Sequence, residues 1–359
     1  MIFNQNQMGR MIGQYMWATG ASSTTPKVSV YDIETRAVGT YTVVNNLSTS
    51  TSVGIPTTGF PTTFRWNPNG TTLAVAYSAS PYIWFFNKIG NGYTKLDNPS
   101  VIGNKAAQSC AWHPSGDFCV VGFESSSNNG QIMCYERSGN TFTNTGTFDT
   151  AITSTIAVYA LAFNPQGDTL AVGMPAAPYL AAYKFDRTTK SFTKIVNPFD
   201  TTPTARVDSV SWNHDGSSLA VAWYASPRVY VYNRSGDSFT KIANPATIPT
   251  GNGTGVAWGG TNSEYLLVSH EVSPRLAVYY RTGDVLNKAA NPALLPPNNC
   301  TGGDISADGN FIICSIYLNP VSMYRRDTAT TNTWINIGQG TGTPSYARHP
   351  HIYPANNGQ

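Results

Sequence analysis

Charge is scarce in this chain of 359 residues: Asp, Glu, Lys and Arg together make up 11% of it, and the formal net charge is +3. A protein that grips a nucleic-acid backbone needs clustered Lys and Arg to displace counterions. No such cluster exists, so no nucleic-acid partner is expected. Low net charge also weakens the self-repulsion that keeps free proteins dispersed, which suits a chain held in an assembly or facing the extracellular medium. No uninterrupted apolar run reaches the roughly 18 residues of a membrane-crossing helix, so membrane insertion is not expected. The opening "MIFNQNQMGRMIGQYMW" has no basic leader followed by an apolar core, and no secretory signal is read there. Five scattered cysteines, an odd number, exclude a disulfide framework. Cys119, Cys134 and Cys314 fall where other copies of a repeat carry Ala or Val and read as small core residues, and an inert role is expected for Cys110 and Cys300 too. Helical periodicity is missing throughout. So are the nucleophile elbow G-x-S-x-G, the phosphate-binding Walker loop, H-E-x-x-H and C-x-x-C.

What is present instead is repetition. "SPYIWFFNKIGNGYTKLDNP" (80–99), "APYLAAYKFDRTTKSFTKIVNP" (177–198), "SPRVYVYNRSGDSFTKIANP" (226–245) and "SPRLAVYYRTGDVLNKAANP" (273–292) are near-copies. Two anchors recur. An apolar or aromatic residue precedes a turn and a Gly, as in "FRWNPNG", "AWHPSG", "AFNPQG" and "SWNHDG", placing Trp66, Trp112, Phe163, Trp212, Trp258 and Ile305 at matching positions. The second anchor sets Pro five residues before an aromatic: Pro26/Tyr31, Pro81/Phe86, Pro178/Tyr183, Pro227/Tyr232 and Pro274/Tyr279. Gly130/Tyr135 and the shorter Pro320/Tyr324 are variants of it. Between the anchors lie short runs such as "TTLAVAYS" and "RVYVYN", β-branched, aromatic and bounded by turn formers, which is how strands read. Each unit parses as four strands, a to d, with Asn-Pro, Asp-Gly and "RSGD" supplying the turns.

Four strands recurring at this spacing are the signature of a β-propeller blade. The two ends of the chain complete the count. Near the N-terminus, strand b falls at Gln14 to Thr19, c at Lys27 to Asp32 and d near Val38 to Val44, with no strand a before them. Near the C-terminus, "PSYARHPHIYP" matches "QSCAWHPSG", with Arg348 in the Trp position and nothing after it to serve as b, c or d. The expected fold is therefore an all-β, seven-bladed propeller with four-stranded antiparallel blades. Its ring is closed by a C-terminal strand a joining N-terminal strands b, c and d, which removes the open edge. An N-terminal arm (1–12), the propeller (13–353) and a short tail (354–359) are the expected divisions.

The pattern resembles the WD-repeat type of seven-bladed propeller, although the Gly-His and Trp-Asp dipeptides of the eukaryotic family are absent. It is more similar to propeller repeats of the form SP-x-x-x-Y-x-R-x-G-D-x-F-T-K-L-x-N-P in bacteriophage and prophage virion proteins, with 226–245 the best match. That resemblance implies a non-enzymatic virion protein, a rigid disk on the tail, collar or fibre apparatus. Its partners would be other virion subunits and a host-surface glycan or receptor, bound through multiple copies. It would be made in the host cytoplasm and released in the particle by lysis. A cellular carbohydrate- or protein-binding propeller is the alternative reading, followed by an enzyme of the lactonase or hydrolase type.

No catalytic residue, cofactor or metal is assigned from the sequence. Carboxylates that strand a and the adjoining loops would bring to the central channel are Asp208 and Asp304, with Glu271 on a neighbouring b–c loop, but they form no ligand-rich cluster. His349-Pro350-His351 has two imidazoles at a spacing that suits a metal, yet it aligns with His113-Pro114 and reads as a turn. Trp66, Trp112, Trp212 and Trp258 read as core. The b–c turns, which share a face with the Pro-rich d–a loops, present Tyr82, Tyr179, Arg228 and Arg275 as candidates for a binding face.

Overall fold

The continuous apolar runs make strands whose two faces are both covered. The computed structural model describes residues 29–31, 43–46, 59–89, 92–124, 132–148, 156–317, 319–327, 333–339 and 352. Its first strands, β1 (Ser29–Tyr31) and β2 (Val43–Asn46), form an antiparallel pair. Blade 1 holds β3 (Pro61–Trp66), β4 (Thr72–Tyr77), β5 (Ile83–Ile89) and β6 (Gly92–Lys95). Blade 2 holds β7 (Ala107–Trp112), β8 (Phe118–Phe123), β9 (Ile132–Ser138) and β10 (Thr141–Asn144). After β11 (Thr147–Phe148), blade 3 holds β12 (Ala160–Phe163), β13 (Thr169–Gly173), β14 (Leu180–Asp186) and β15 (Ser191–Lys194). Blade 4 holds β16 (Val207–Trp212), β17 (Ser218–Trp223), β18 (Val229–Ser235) and β19 (Ser238–Lys241). Blade 5 holds β20 (Gly253–Gly259), β21 (Tyr265–His270), β22 (Leu276–Thr282) and β23 (Val285–Lys288). Blade 6 holds β24 (Cys300–Ile305), β25 (Phe311–Ile316), β26 (Asn319–Arg326) and β27 (Trp334–Gln339).

Each blade is an antiparallel meander in chain order, and the first strands of successive blades pack side by side. The chain is an all-β propeller. The described residues contain six complete blades rather than the expected seven. β1 and β2 fall on the segments read as strands c and d of the seventh. The strand at Gln14 to Thr19, the strand around Arg348, the arm, the tail and the His349-Pro350-His351 segment lie outside the described residues. Blade 3 departs from the four-strand expectation: β11, in the linker from blade 2, pairs in parallel with β15 and makes its sheet five-stranded. The reason is packing, because Phe148 stacks on Phe192 at 4.1 Å.

Both anchors now have causes. The aromatic anchors Phe86, Tyr135, Tyr183, Tyr232, Tyr279 and Tyr324 stand at the centre of each blade with at most 1% of their surface exposed. The a–b turns work because a side chain caps them. Asn67 Oδ1 accepts from the Thr71 and Thr72 amides, Asn213 Oδ1 accepts from Ser218, and Ser306 Oγ accepts from Asn310 and Phe311. The Gly that follows takes a left-handed conformation (φ 72° at Gly216), which glycine adopts without steric cost. The four anchor Trp residues are buried, as expected, and so are all five cysteines.

Blades adhere through apolar seams and through hydrogen bonds that skip about one repeat. Inner-strand hydroxyls reach the next inner strand: Thr62 Oγ1 to the Ala107 carbonyl (2.6 Å), Ser109 Oγ to Val158 (3.1 Å) and Thr254 Oγ1 to Cys300 (2.8 Å). Third-strand arginines reach back to the preceding blade. Arg234 donates to Thr169 (2.8 Å) and Asp168 (3.1 Å), Arg281 to Ser218 (2.7 Å) and Asn233 (2.8 Å), and Arg326 to Tyr265 (2.7 Å). The central tyrosines also tie down the loops beyond, since Tyr232 donates to the Thr201 carbonyl at 2.7 Å. Tyr232→Phe should keep the packing and lose this one buried bond. About 1 kcal/mol of stability is then expected to go, read as a lower urea midpoint at unchanged slope.

Candidate active site

Two repeat positions flank the central channel on the face that carries the b–c turns and d–a loops: the residue six before each a–b anchor and the residue that opens each b–c turn. Neighbouring strand positions repeat closely, whereas these two do not. In blade order the pairs are Phe60 and Ser78, Ala106 and Glu124, Ala157 and Pro175, Arg206 and Tyr224, Asn252 and Glu271, Asn299 and Tyr317. Their variety means that the fold does not dictate them.

Blades 4 and 5 bring polar members of this series into one cluster, and Tyr159 of blade 3 joins it. Arg206 Nε and Nη2 donate to the two oxygens of Asp208 at 2.5 and 2.9 Å. Its guanidinium lies 4.7 Å from the Tyr159 ring and 4.6 Å from the Tyr224 ring. Held by a buried carboxylate and two aromatic faces, the guanidinium plane is fixed, and no partner among the described residues engages its Nη1. Beside it, the Tyr224 hydroxyl donates to Glu271 Oε1 at 2.9 Å and Asn252 Nδ2 donates to Glu271 Oε2 at 2.9 Å. Burial first, and then the Asp208 charge, push the Tyr224 phenol above its ordinary range, so it stays protonated and remains a donor. Glu271 is half-buried and oriented by neutral donors, and its two oxygens have acceptor capacity beyond those two bonds. A positioned carboxylate beside an immobile cation can take a proton from water and stabilise a developing oxyanion.

Of the channel carboxylates legible in the sequence, Asp208 and Glu271 thus belong to one cluster. Asp304 stands apart on β24, where it accepts from the amides of Ile305 (3.0 Å) and Ile352 (2.7 Å). Burial pushes its carboxyl up to about 6, against the opposing pull of the Ile352 amide and the Arg65 charge. Arg206, Tyr159, Tyr224 and Asn252 were missed. For Arg206, Tyr224 and Asn252 the signal that could have found them is the departure from repeat chemistry at the two mouth positions; Tyr159 lies in register with Asp208 instead. Among the described residues no group of three His, Cys, Asp or Glu is placed to share a metal ion.

The four turn residues proposed as a binding face all follow a cis proline and all have positive φ: Tyr82 67°, Tyr179 61°, Arg228 75° and Arg275 69°. Each closes the same turn, its amide donating to the carbonyl three residues back. The structure does not gather them. Tyr82 and Tyr179 are half-buried against the seam cores of blades 1–2 and 3–4, while Arg228 and Arg275 sit in adjacent blades.

No protein-family model matches the sequence, and no curated protein does either. Solved structures do match. A periplasmic gluconolactonase from Pseudomonas aeruginosa superposes with a TM-score of 0.71 at 12% identity, over 96% of this chain and 100% of that one. A protein from Lactobacillus plantarum gives 0.73 at 14%, over 94% and 99%, and a putative 6-phosphogluconolactonase from Bacteroides fragilis gives 0.68 at 13%, over 94% and 98%. The chain has the propeller fold of these proteins. These neighbours also correct the reading of the chain as a non-enzymatic bacteriophage virion disk. That reading rested on the wording of the repeat, yet the same fold, over nearly the whole of both chains, is found in structures named as a gluconolactonase and as putative 6-phosphogluconolactonases. The repeat wording reports how a blade is built and carries no information about where the finished ring serves.

Proposed function

We propose that the chain is a propeller hydrolase of the lactonase type that opens the ring ester of a sugar-acid lactone at the channel mouth. The observation that carries this reading is the Glu271 carboxylate, oriented by Tyr224 and Asn252 beside the immobilised Arg206 guanidinium. The names of the gluconolactonase neighbours add support. In the proposed reaction a water attacks the lactone carbonyl and gives its proton to Glu271 while the carbonyl electron pair moves onto oxygen facing the Arg206 Nη1 hydrogens. Collapse of that intermediate breaks the bond to the ring oxygen, which takes the proton back from Glu271. The products are the open hydroxy acid and a regenerated carboxylate. Asp208 positions Arg206 and does not touch the substrate.

We infer too that the ring contains seven blades. Within the ring each blade face is buried by the next blade. The outer face of blade 1 (Phe64, Leu73, Val75, Tyr77, Trp84) and that of blade 6 (Ile313, Val321, Met323, with Ile352) are just as buried. A further blade between them, built from the β1–β2 hairpin and the C-terminal segment, accounts for both.

The test of the activity is acid release from gluconolactone followed in a pH-stat. Turnover above the spontaneous rate that falls at least tenfold in Arg206→Ala is expected. A rate equal to the blank across a panel of sugar lactones, with or without binding, overturns the proposal.

A further inference from the structure

At or just past the end of the second strand, five of the six blades place a large apolar or aromatic side chain: Tyr77, Phe123, Met174, Trp223 and Ile316, all at most 2% exposed. Blade 5 places His270 there. It is 0% exposed, neither ring nitrogen meets a partner at hydrogen-bond geometry among the described residues, and only the Val272 backbone carbonyl bears on the ring. An imidazole always carries at least one N–H and cannot serve as a neutral filler as Met or Ile does, so the substitution calls for an explanation.

The surroundings supply one. The His270 amide donates to the Arg275 carbonyl at 2.9 Å. Gly253, its cross-strand partner, lies so close to blade 4 that a β-carbon there would stand 2.5 Å from the Arg228 carbonyl oxygen. The turns of blades 4 and 5 that carry Arg228 and Arg275 therefore flank the backbone around His270, and both guanidinium charges reach its imidazole. The Nε of each arginine is buried without a partner, and neither arginine pairs with a carboxylate among the described residues. Among the described residues the one side-chain bond either makes is from Arg275 Nη1 to the Pro296 carbonyl, at 2.9 Å. The nearest acid in sequence, Glu271, is already held by Tyr224 and Asn252. The charges of Lys288, Arg228 and Arg275 all bear on the imidazole. Arginine is not needed to make these turns, because Tyr82 and Tyr179 make the same turn in blades 1 and 3.

We propose that the seam between blades 4 and 5 is an oxyanion-binding site, in which Arg228 and Arg275 supply charge and N–H groups and His270 a further N–H to a phosphate or carboxylate group. A water molecule could accept one of these hydrogens but carries no charge to set against two guanidinium ions. Bidentate guanidinium recognition suits both oxyanions. None of the three residues belongs to the hydrolytic cluster, so the site stands or falls independently of the lactonase reading.

Titration calorimetry of the full chain with inorganic phosphate, and separately with acetate, at constant ionic strength tests it. One saturable site per chain is expected. Affinity should fall at least tenfold when both arginines are changed (Arg228→Tyr with Arg275→Tyr) and measurably in His270→Met, replacements that blades 1 and 3 already accept at these positions. Preference for phosphate over acetate, or the reverse, identifies which oxyanion the seam takes. No saturable binding of either ion to the wild type, or equal binding by the double variant, overturns the proposal.

Discussion

Glutamine in place of Glu271 is expected to lower lactone turnover by about 10²- to 10⁴-fold, the range a general base supplies. The change is nearly isosteric, and its local cost can be read from the hydrogen bonds. The Tyr224 hydroxyl still finds a carbonyl oxygen to donate to, while the new NH₂ faces the Asn252 NH₂ until that amide rotates to present its oxygen. About 1 kcal/mol of stability is at stake, too little to unfold the ring. What disappears is the capacity to take a proton from water. Because Arg206 and the two tyrosine rings are untouched, KM should stay within a few-fold of the wild type while kcat collapses, the mark of an interaction used in the transition state. Initial rates of acid release over a range of lactone concentrations decide it. A glutamine variant at wild-type kcat removes Glu271 from the mechanism.

His270→Met should alter the pH dependence of stability. Burial, partly offset by the Val272 backbone carbonyl and reinforced by the nearby cations, depresses the imidazole from 6.5 to about 4. The unfolded chain therefore binds a proton below pH 6.5 that the folded chain refuses until about pH 4, so the wild type loses stability as pH falls through that window. Integrated over the window, the loss is about 3 kcal/mol. Asp304 works the other way. Its carboxyl, pushed up to about 6, takes up a proton in the folded state before the unfolded one does, so its contribution improves as pH falls. The two partly cancel in the wild type, and the difference between variant and wild type isolates the histidine. That difference should grow by about 3 kcal/mol from pH 7 to pH 4 in urea titrations, starting from an advantage at pH 7 because two nitrogens without a well-formed hydrogen bond are gone. A difference that does not change with pH means that His270 titrates normally.

The blade was legible because its determinants are local and repeated. A tyrosine at a fixed distance from the b–c turn, a capping Asn before a left-handed Gly and an unbroken apolar second strand each say the same thing in several copies. The fifth strand of blade 3 was not legible, since it depends on Phe148 meeting Phe192, a contact between a linker and a strand of the next unit. The site was half legible for a related reason. Asp208 and Glu271 drew attention as carboxylates near the channel, but the link between them runs through Arg206 and Tyr224, which lie at positions where each blade differs. Sequence repetition points to the scaffold, and the departures from it point to the site. The virion reading failed at this step, because it treated a description of the scaffold as a statement about use.

The arginine on the third strand of blades 4, 5 and 6 grasps the blade before it, so the means of attachment is written inside the unit being attached. A tandem copy of such a segment arrives with its own clasp and needs no compensating change in the older neighbour. Growth of the ring by duplication is then a matter of adding self-fastening parts, and the few positions facing the mouth are left free to diverge.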